Sequence, residues 1–440
     1  MSTIAIATRV GRELSAICGL DHIAEAPAER ILGCAPSVSV WPGSPEEIVA
    51  IVRVANENGL TVVPAGGFTQ QQWGKTPANV DILLYTTRLT EVEHYDPADL
   101  TIGIGAGCTL SKLASMVGKD GLLFAGDGPL PQRATVGGLL ATGMMGPLRH
   151  GYGGLRDYCI GIKFVTGDGR LGKGGGRVVK NVAGYDMMKL LIGSQGTLAI
   201  ITGASFKLFP APRQTRTFVA VFASAAEALA FRHRILRSPL DPVCLELVSP
   251  EAHKLLVPAS PAGAGWSICL RAAGSDAVLA RYRAECGSAL AREMEGENEA
   301  GFWRKAADFA PLACERDPDS LLISFAVALD DVQPVLANAE EVAATHGFTL
   351  AAVGRVGVGH LLVSLSPAVG RQLSKSDFIA TVSAVRERLP GDASMTVLHC
   401  PPEACDETSL LRTPTHFGSM RAVKRALDGK DILNRGRFLF

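Results

Sequence analysis

The chain has 440 residues, of which 47% are apolar and 20% charged, and its 43 basic residues equal its 43 acidic ones. This length and composition predict a globular protein of two or three domains, and the lack of a basic surplus argues against nucleic acid as a partner. No apolar run is long enough for a transmembrane segment, and the first residues lack the basic segment that precedes a secretory signal.

The first part of the chain reads as a helical leader, residues 1–30, followed by a strand–helix–strand unit. Ser44 is a favourable N-cap, Pro45 suits the first helical position, and apolar residues at i, i+3, i+4 and i+7 spacing continue up to Gly59. A helix is therefore predicted between a short strand and a buried strand at residues 60–64. The further elements predicted here are strands at residues 82–85, 91–95 and 100–105, a helix at 109–117, a hairpin at 160–171, a helix at 187–192 and a strand pair at 198–209.

Residues 213–405 have fewer glycines and alternate between strand and helix patterns. Strands are predicted at residues 217–222, 243–248, 266–271 and 321–325, and helices at 225–237, 275–290 and 332–345. This alternation indicates an α+β layer of βαβ type without a fixed-period repeat. A last helix is predicted at residues 417–427.

Glycine is concentrated between residues 126 and 203, which hold 20 of the 48 glycines. Two segments there, Ala134-Thr-Val-Gly-Gly-Leu-Leu-Ala-Thr-Gly143 and Gly193-Ser-Gln-Gly-Thr-Leu-Ala-Ile-Ile-Thr202, are set within apolar sequence. Such glycines indicate backbone that turns sharply or approaches another group closely. A large flat cofactor lying against the main chain is one group that requires this.

The turn Pro64-Ala-Gly-Gly-Phe-Thr69 follows the buried strand directly. A glycine pair in this place can direct several N–H groups inward as a nest for pyrophosphate, although an ordinary Gly-Gly turn explains the pattern as well. The chain lacks a P-loop motif, and Gly103-Ile-Gly-Ala-Gly107 lacks the Gly-x-Gly-x-x-Gly spacing. Both a P-loop and a Rossmann dinucleotide site are therefore disfavoured.

The segments Pro64–Thr69, Ala134–Gly143 and Gly193–Thr202 follow one another in this order along the chain. Together they resemble the FAD domain of the vanillyl-alcohol oxidase (PCMH-type) superfamily. The tail Ile432-Leu-Asn-Arg-Gly-Arg437 is similar to the Leu-Asn-Pro-Gly-Arg/Lys ending of that family, with Arg435 in the usual place of proline. The resemblance implies an α+β protein. It would have a PCMH-type FAD-binding domain of two subdomains at residues 31–212, an α+β cap domain with a ferredoxin-like sheet at 213–405, and a C-terminal segment, 406–440, that returns to the FAD domain.

The resemblance also implies which residues contact FAD. In many relatives the residue in the place of Phe68 is a histidine that is covalently bonded to the flavin. Phe68 therefore implies non-covalent FAD, unless a second attachment residue exists. The implied contacts are with the pyrophosphate for Ala65, Gly66, Gly67, Phe68 and Thr69, with the pyrophosphate and isoalloxazine for Pro129, Thr135, Gly138, Ala141, Thr142 and Gly143, and with the ribose and adenine for Gly196 and Ile201.

Within the superfamily, Gly146-Pro-Leu-Arg149, Arg156-Asp157 and Lys180-Asn-Val-Ala-Gly-Tyr-Asp186 are most similar to the FAD-binding E-type subunit of bacterial glycolate oxidase. That resemblance implies a D-type flavin subunit and an iron–sulfur subunit as partners, and a small 2-hydroxy acid as substrate. The ten scattered cysteines include no Cys-x-x-Cys pair, so we expect no iron–sulfur or zinc site in this chain. Scattered thiols predict a cytoplasmic location, with membrane association only through partners.

One departure from the family concerns the chemistry. Catalytic relatives carry His-x-Gly-Asp-Gly-Asn-x-His for a metal and the substrate, and the counterpart here is Arg355-Val-Gly-Val-Gly-His-Leu-Leu362. Val358 and Leu362 cannot ligate a metal, and His360 is interpreted as a polar residue on a turn, so no metal site is predicted. Weak catalytic candidates are Arg149, as a carboxylate ligand, and Tyr185, as a proton donor.

The resulting hypothesis is an FAD subunit of a glycolate (2-hydroxy acid) oxidase or dehydrogenase complex. Arg156 and Lys180 are further candidates for residues that frame a substrate pocket. The alternative for Arg149, Arg156 and Lys180 is a role in interdomain salt bridges, and the alternative for Tyr185 is side-chain packing. Two other functions stay open at this stage. The chain could be a self-sufficient FAD enzyme acting on another alcohol or hydroxy acid, or a non-catalytic subunit that uses the flavin fold to organise a complex.

Overall fold

A computed structural model describes residues 8–177, 184–257, 265–401, 404 and 414–437. The chain divides into two compact units. The first unit contains residues 1–144, 154–211 and 413–440, and the second contains residues 145–153 and 212–412.

The strands are numbered in chain order. They are β1 (Ile23–Glu25), β2 (Val38–Val40), β3 (Val62–Ala65), β4 (Ile82–Tyr85), β5 (Val92–Asp96), β6 (Thr101–Gly105), β7 (Leu122–Leu123), β8 (Cys159–Thr166), β9 (Leu171–Gly175), β10 (Ala199–Lys207), β11 (Phe209–Pro210), β12 (Thr215–Phe222), β13 (Cys244–Val248), β14 (Trp266–Ala273), β15 (Leu290–Met294), β16 (Leu321–Ala326), β17 (Phe348–Arg355), β18 (His360–Pro367) and β19 (Ser394–His399).

The α-helices are numbered in the same way. They are α1 (Arg9–Cys18), α2 (Pro45–Asn58), α3 (Leu110–Gly118), α4 (Val136–Thr142), α5 (Arg149–Tyr152), α6 (Leu155–Tyr158), α7 (Met187–Leu191), α8 (Ala225–Arg237), α9 (Pro250–Leu256), α10 (Asp276–Cys286), α11 (Gly296–Ala307), α12 (Phe309–Arg316), α13 (Val332–His346), α14 (Lys375–Glu387) and α15 (Phe417–Leu427).

The first sheet of unit one has the strand order β1-β2-β4-β3, and the strands β2, β4 and β3 run parallel to one another. Helix α2 begins as predicted, because the Ser44 hydroxyl accepts a hydrogen bond from the Glu47 N–H and Pro45 occupies the first turn. The helix buries its predicted apolar stripe, and Gly59 ends it in the left-handed conformation. Burial of each large aliphatic side chain of such a stripe stabilises the fold by about 1.5–3 kcal/mol.

The predicted helical leader is wrong over its second half. Among the described residues, the α-helix covers Arg9–Cys18, and Ile23–Glu25 forms β1, which pairs antiparallel with β2. Pairing of β1 satisfies backbone groups at the edge of the first sheet, and this long-range hydrogen bonding outweighs the local helical preference of the alanines.

The second sheet of unit one has the order β5-β6-β10-β8-β9 and is antiparallel throughout. The predicted hairpin is confirmed as β8 and β9, and the helix predicted at residues 109–117 is α3, with the Thr109 hydroxyl as its N-cap. The predicted strand pair at residues 198–209 is wrong in detail, because β10 and β11 do not pair with each other; β11 pairs with β7.

The last described residues return to the first sheet. After α15, the backbone of Leu433 forms a parallel bridge with Val62, and Asn434 N–H donates to the Val62 carbonyl at 2.9 Å. Lys424 is buried at the end of α15, where its ammonium donates to Thr197 O and Asp428 Oδ2 at 2.8 and 2.7 Å. These contacts attach the C-terminal segment to unit one.

Unit two contains an antiparallel sheet of eight strands in the order β15-β12-β14-β13-β17-β18-β16-β19. Strands β12 to β15 with α8 and α10 form one βαββαβ half in the ferredoxin-like order 4-1-3-2, and β16 to β19 with α13 and α14 form another in the reverse order. The two halves join through β13 and β17. The predicted ferredoxin-like sheet is confirmed, and the structure contains an internal repeat that no sequence period indicated.

The predicted elements of unit two are confirmed with one exception. The helix predicted at residues 275–290 ends at Cys286, because Leu290–Met294 pairs as β15 with β12. Sequence reasoning missed the helices α5, α9, α11, α12 and α14 and the strands β15, β17, β18 and β19 of this unit.

Candidate functional site

A cleft that is partly open to solvent lies in unit one. The loop after β3, the N-terminal part of α4, the turn before β10 and the C-terminal segment form its walls.

The loop after β3 lies along this cleft and contains a row of backbone donors without partners among the described residues. The N–H groups of residues 66–70 donate to no other described residue, and all five residues line the cleft. A Cβ atom at Gly66 would meet Thr135 Oγ1, and one at Gly67 would meet the carbonyl oxygen of Arg133. Glycine is therefore required for the loop to pack against residues 133–135. Consecutive N–H groups without protein partners beside a cleft are the donors that an anion nest requires.

Phe68 has a positive φ of 59°, which is uncommon for a residue with a side chain. Its ring packs 6.3 Å from that of Tyr85, which in turn stacks on Trp41 at 4.9 Å. This aromatic packing holds the side chain in the strained backbone conformation. The described residues that line the cleft include no His, Cys, Tyr or Asp, so none of them offers a nucleophile for covalent flavin attachment.

The two glycine-rich segments predicted from the sequence meet through backbone hydrogen bonds. Gly193 N–H donates to Leu140 O at 2.9 Å, and Gln195 N–H donates to Ala141 O at 2.7 Å. The Thr135 hydroxyl caps α4 by accepting from Gly138 N–H at 3.3 Å. Residues far apart in sequence thus form one continuous wall.

The residues predicted to contact the cofactor converge on the cleft, with one exception. Its lining includes Ala65, Gly66, Gly67, Phe68, Thr69, Pro129, Thr135, Gly138, Ala141, Thr142, Gly196 and Ile201. Gly143 is absent from this lining; it ends α4 with a φ of 67°.

The weaker candidates lie elsewhere. Tyr185 is 90% exposed, and Arg149 begins helix α5 in unit two. Arg156 donates to the Ile192 carbonyl at 3.1 Å within unit one. Lys180 lies outside the described residues.

Sequence reasoning missed six polar residues of the cleft, which are Gln70, Gln71, Thr86, Gln195, Asn434 and Arg437. Asn434 and Arg437 belong to the tail motif, which was used only as a sign of the family. Arg437 is 8% exposed, and burial lowers its pKa to about 10, so it remains a cation at neutral pH. A buried cation beside a row of N–H donors gives the cleft a positive potential that suits an anionic ligand.

The segment 355–362 forms the turn of a β-hairpin in unit two. Arg355 and Glu246 are 1% and 0% exposed, and Arg355 Nε lies 3.7 Å from Glu246 Oε1. Arg355 Nη1 also lies 3.2 Å from Nδ1 of His360, whose Nε2 lies 3.1 Å from Ser324 Oγ. Burial, together with the charges of Arg355 and Arg149, holds the pKa of His360 well below its usual value.

In this cluster the positive charge of Arg355 is paired with the negative charge of Glu246. The described residues include no group of three or more His, Cys, Asp or Glu side chains that could hold a metal ion. Where catalytic relatives are expected to bind a metal, the described part of this chain has a buried guanidinium–carboxylate pair and a histidine in contact with that guanidinium.

None of the helices in the described ranges combines the length and apolar character needed to cross a bilayer.

Comparison with known proteins identifies the domains. Residues 36–174 match the family described as an FAD binding domain, and residues 211–386 match the C-terminal domain of FAD linked oxidases.

Two curated relatives show how far the sequence similarity extends. A D-lactate dehydrogenase of Archaeoglobus fulgidus is 37% identical over 49% of this chain and 48% of its own length. A glycolate oxidase subunit GlcD of Bacillus subtilis is 24% identical over 91% of this chain and 88% of its own length. The chain thus matches about half the length of the first relative and most of the second.

Solved structures extend the likeness in fold. A 4-ethylphenol oxidase from Gulosibacter chungangensis has a TM-score of 0.73 at 16% identity over 97% of this chain and 96% of its own. p-Cresol methylhydroxylase has a TM-score of 0.73 at 15% identity over 98% of this chain and 96% of its own. The predicted PCMH-type α+β fold is therefore confirmed. The chain joins an FAD-binding domain to the C-terminal domain of FAD-linked oxidases, the composition of an FAD-linked oxidoreductase of PCMH-type fold, and its cofactor is FAD.

Proposed function

We propose that this chain is the FAD-binding subunit of a glycolate (2-hydroxy acid) oxidase or dehydrogenase complex. In the reaction, the substrate loses a hydride from C2 and a proton from its hydroxyl group, and a 2-oxo acid is released. Bound FAD supplies the hydride acceptor, and the two electrons then leave through partner subunits. The chain's own residues hold the cofactor and shape its surroundings.

The observation that carries the cofactor part of this proposal is the cleft of unit one. Its N–H donors at residues 66–70 and the guanidinium of Arg437 suit a pyrophosphate, and its lining has no side chain among the described residues that would bond covalently to a flavin. On this basis we assign the predicted contact residues to FAD, except Gly143, which ends helix α4 and does not line the cleft. We also propose that the FAD is non-covalent.

The polar cluster of unit two supports a dependence on partners. Val358 and Leu362 offer no metal ligand, and Arg355 is committed to Glu246 and His360. A substrate carboxylate would have to compete with the buried carboxylate of Glu246 for the same guanidinium. We infer that the chain does not oxidise glycolate at full rate without another subunit.

The assignment to the E-type subunit rests on the motifs around Arg149, Arg156 and Asp186. One relative that aligns over most of the chain is a D-type subunit by its name. The partners proposed here, a D-type flavin subunit and an iron–sulfur subunit, therefore follow from the motifs. We retain the division into an FAD domain at residues 31–212, a cap domain at 213–405 and a returning segment at 406–440 as part of this proposal. Arg149 and Tyr185 are retained as candidate substrate contacts.

The test is to purify the chain alone and together with the products of the neighbouring genes, and to follow flavin bleaching by glycolate under anaerobic conditions. The proposal expects bound FAD in both preparations and rapid bleaching only in the complex. Rapid bleaching in the isolated chain would overturn the subunit assignment, and an isolated chain that takes up no FAD would overturn the cofactor assignment.

A second candidate is a self-sufficient FAD-dependent dehydrogenase of a 2-hydroxy acid. The similarity to a protein named D-lactate dehydrogenase, at 37% identity over 216 residues, favours it. D-Lactate and D-2-hydroxyglutarate in the same bleaching assay distinguish the two candidates, because this second function requires the isolated chain to react at the rate of the complex. A third outcome is that the chain binds FAD but no hydroxy acid reduces this flavin, even in the complex. That result would point to a structural subunit.

A further inference from the structure

Strand β9 (Leu171–Gly175) forms one edge of the five-stranded sheet in unit one. An edge strand exposes backbone N–H and C=O groups, and proteins protect such edges with bulges, charged side chains or a covering element. The opposite edge, β5, has a register shift between Val92 and His94 and carries two acidic side chains. Strand β9 pairs with β8 over five residues without a shift and carries a single charged side chain, Lys173. It is therefore the less protected edge of this sheet.

The glycines of β9 are explained by packing on one face of the strand. A Cβ atom at Gly172 would lie 2.5 Å from the ring of Phe164, and one at Gly174 would lie 2.6 Å from Cβ of Met187 in α7. Because side chains alternate between the two faces of a strand, residues 171 and 173 lie on the other face, where both are exposed.

The ladder between β8 and β9 fixes the direction of the backbone groups at this edge. Gly176 N–H donates to the Ile160 carbonyl at 3.0 Å, and the register continues without a shift along β9. Hydrogen-bonded and non-hydrogen-bonded pairs alternate in an antiparallel ladder, so the even-numbered residues of β9 bond to β8. The N–H and C=O groups of Leu171 and Lys173 therefore point away from β8. No described residue on that side bonds to them.

Lys173 also lacks an acidic partner within the described part of the chain. It lies directly opposite Lys163 in the pairing of β8 with β9, and like charges in that arrangement destabilise a sheet. Glu93 compensates Lys163, with 2.7 Å between Oε1 and Nζ. An acidic side chain on the open side of β9 would give Lys173 the partner that it lacks.

The edge suits a different polypeptide better than a second copy of this chain. Strand β9 reads Leu-Gly-Lys-Gly-Gly and contains no Asp or Glu. Pairing of two copies would bring a second Lys173 into the same short ladder and would leave both lysines without an opposite charge. An extended segment with an acidic residue in register would instead satisfy the backbone groups and the charge together.

We propose that β9 is the docking edge for an extended segment of a partner subunit, which adds to the sheet as a further strand. The segment places an Asp or Glu opposite Lys173 and an apolar side chain opposite Leu171, which is 56% exposed. This inference rests on the proposed function, because that function requires partner subunits. The surface is separate from the cofactor cleft, whose lining contains no residue of β9.

Hydrogen exchange tests the edge directly, in the isolated full chain and in its complex with the products of the neighbouring genes. In the isolated chain the amides of Leu171 and Lys173 should exchange rapidly and those of Gly172 and Gly174 slowly. Complex formation should slow exchange at Leu171 and Lys173 by about tenfold or more, because their N–H groups gain acceptors. Equal rates in the two preparations would overturn the inference. So would slow exchange in the isolated chain, since another part of the chain would then already cover the edge.

Charge reversal tests the acidic partner. Lys173→Glu should raise the Kd of the complex by about fivefold or more, because attraction is replaced by repulsion across the ladder. Lys112→Glu is the matched control, because it makes the same change at an exposed lysine of α3 that has no ion pair among the described residues. Its Kd should stay within about twofold of the wild type. A Kd for Lys173→Glu that also stays within this range would overturn the inference.

Cross-linking identifies the residue opposite Lys173. A carbodiimide joins an amine to a carboxylate that it contacts, so the wild-type complex should yield Lys173 linked to an Asp or Glu of a partner subunit. Replacement of that acid by Lys should restore the affinity of Lys173→Glu, and a failure to restore it would contradict the pairing. A wild-type chain that forms no complex with the neighbouring gene products would refute the proposed function instead. A complex that forms normally and ignores every change at β9 would refute this inference alone.

Discussion

Arg355 Nη1 lies 3.2 Å from Nδ1 of His360, and the two residues face each other across the paired strands β17 and β18. Arginine has donors only, so Nδ1 of His360 must accept, and the proton of the neutral ring is on Nε2. That N–H donates to Ser324 Oγ at 3.1 Å. The protein therefore fixes both the tautomer and the neutral state of this histidine.

The neutral state of His360 predicts a loss of stability in acid. Its pKa is lowered in the folded protein, so below its usual pKa of about 6.5 the unfolded state binds a proton that the folded state does not. The free energy of unfolding should fall as the pH decreases below about 6.5, by up to about 1.4 kcal/mol per pH unit from this residue. Urea unfolding at a series of pH values measures the slope.

His360→Asn should reduce that slope. Part of the slope should remain, because burial also lowers the pKa values of His150 and His253. His233→Asn, a change of an exposed histidine in α8, is the control and should leave the slope as it is. An unchanged slope in His360→Asn would show that His360 is protonated at the same pH in both states.

The buried pair of Arg355 and Glu246 predicts an asymmetric response to substitution. Arg355→Met leaves the carboxylate of Glu246 without this ion pair in the interior and should lower the free energy of unfolding by roughly 3–5 kcal/mol. The double variant Arg355→Met, Glu246→Met should be far less destabilised, because no buried charge remains. Urea unfolding of both variants measures the difference.

The exposed pair of Lys163 and Glu93, 2.7 Å apart, serves as the comparison. Lys163→Met should change the free energy of unfolding by about 1 kcal/mol or less, since solvent screens an exposed pair. If the double variant is destabilised as much as Arg355→Met, the charge pair is not the cause, and side-chain packing in this cluster would explain the loss.

The residues around Phe68 predict that the flavin is released when the protein is denatured. Phenylalanine has no nucleophilic atom, and the described residues of the cleft offer no replacement. Acid precipitation of the holoprotein should leave all flavin absorbance in the supernatant. Flavin that stays in the pellet after repeated washing would instead show an attachment residue beyond those described.

The close approach of Gly67 to residue 133 predicts a severe effect of a single methyl group. In Gly67→Ala the new Cβ would meet the carbonyl oxygen of Arg133, so the loop must move and its N–H groups lose their common direction. The Kd for FAD should rise by more than about tenfold, and the free energy of unfolding should fall by about 1–3 kcal/mol. Flavin titration and urea unfolding check the two effects.

Gly118→Ala is the control, since a Cβ atom at Gly118 would have no atom within 4 Å. It should leave FAD affinity unchanged and alter stability by less than about 1 kcal/mol. Wild-type affinity in Gly67→Ala would mean that the loop N–H groups do not contribute to binding.

Local signals in the sequence predicted several elements well. Ser44, Pro45 and Gly59 mark the two ends of α2, because caps act within one turn of the helix. Helix α4 was missed, since Gly137 and Gly138 have low helix propensity and the helix depends on its packing in the cleft wall. Local propensity cannot report that packing.

The parts of the candidate site that are formed by backbone could be predicted from the sequence. The parts formed by side chains from distant positions in the sequence could not. The glycines at positions 66 and 67 are required by close packing, and that requirement is visible as a motif. Gln71 and Arg437 meet through hydrogen bonds between parts of the chain 366 residues apart, and neither residue type alone indicates such a contact. The repeat in unit two was hidden for a related reason, because two halves with the same strand order need not share a residue pattern.

The parallel bridge between Val62 and Leu433 has a consequence for biosynthesis. Residues 64–201 leave the ribosome well before residues 431–437 do, so the nascent cleft lacks one wall while the second unit is being made. We expect FAD to be held weakly by the growing chain and firmly only after the late segment has docked. Cofactor insertion would then be a closing step of maturation, and incomplete translation products would be left without flavin.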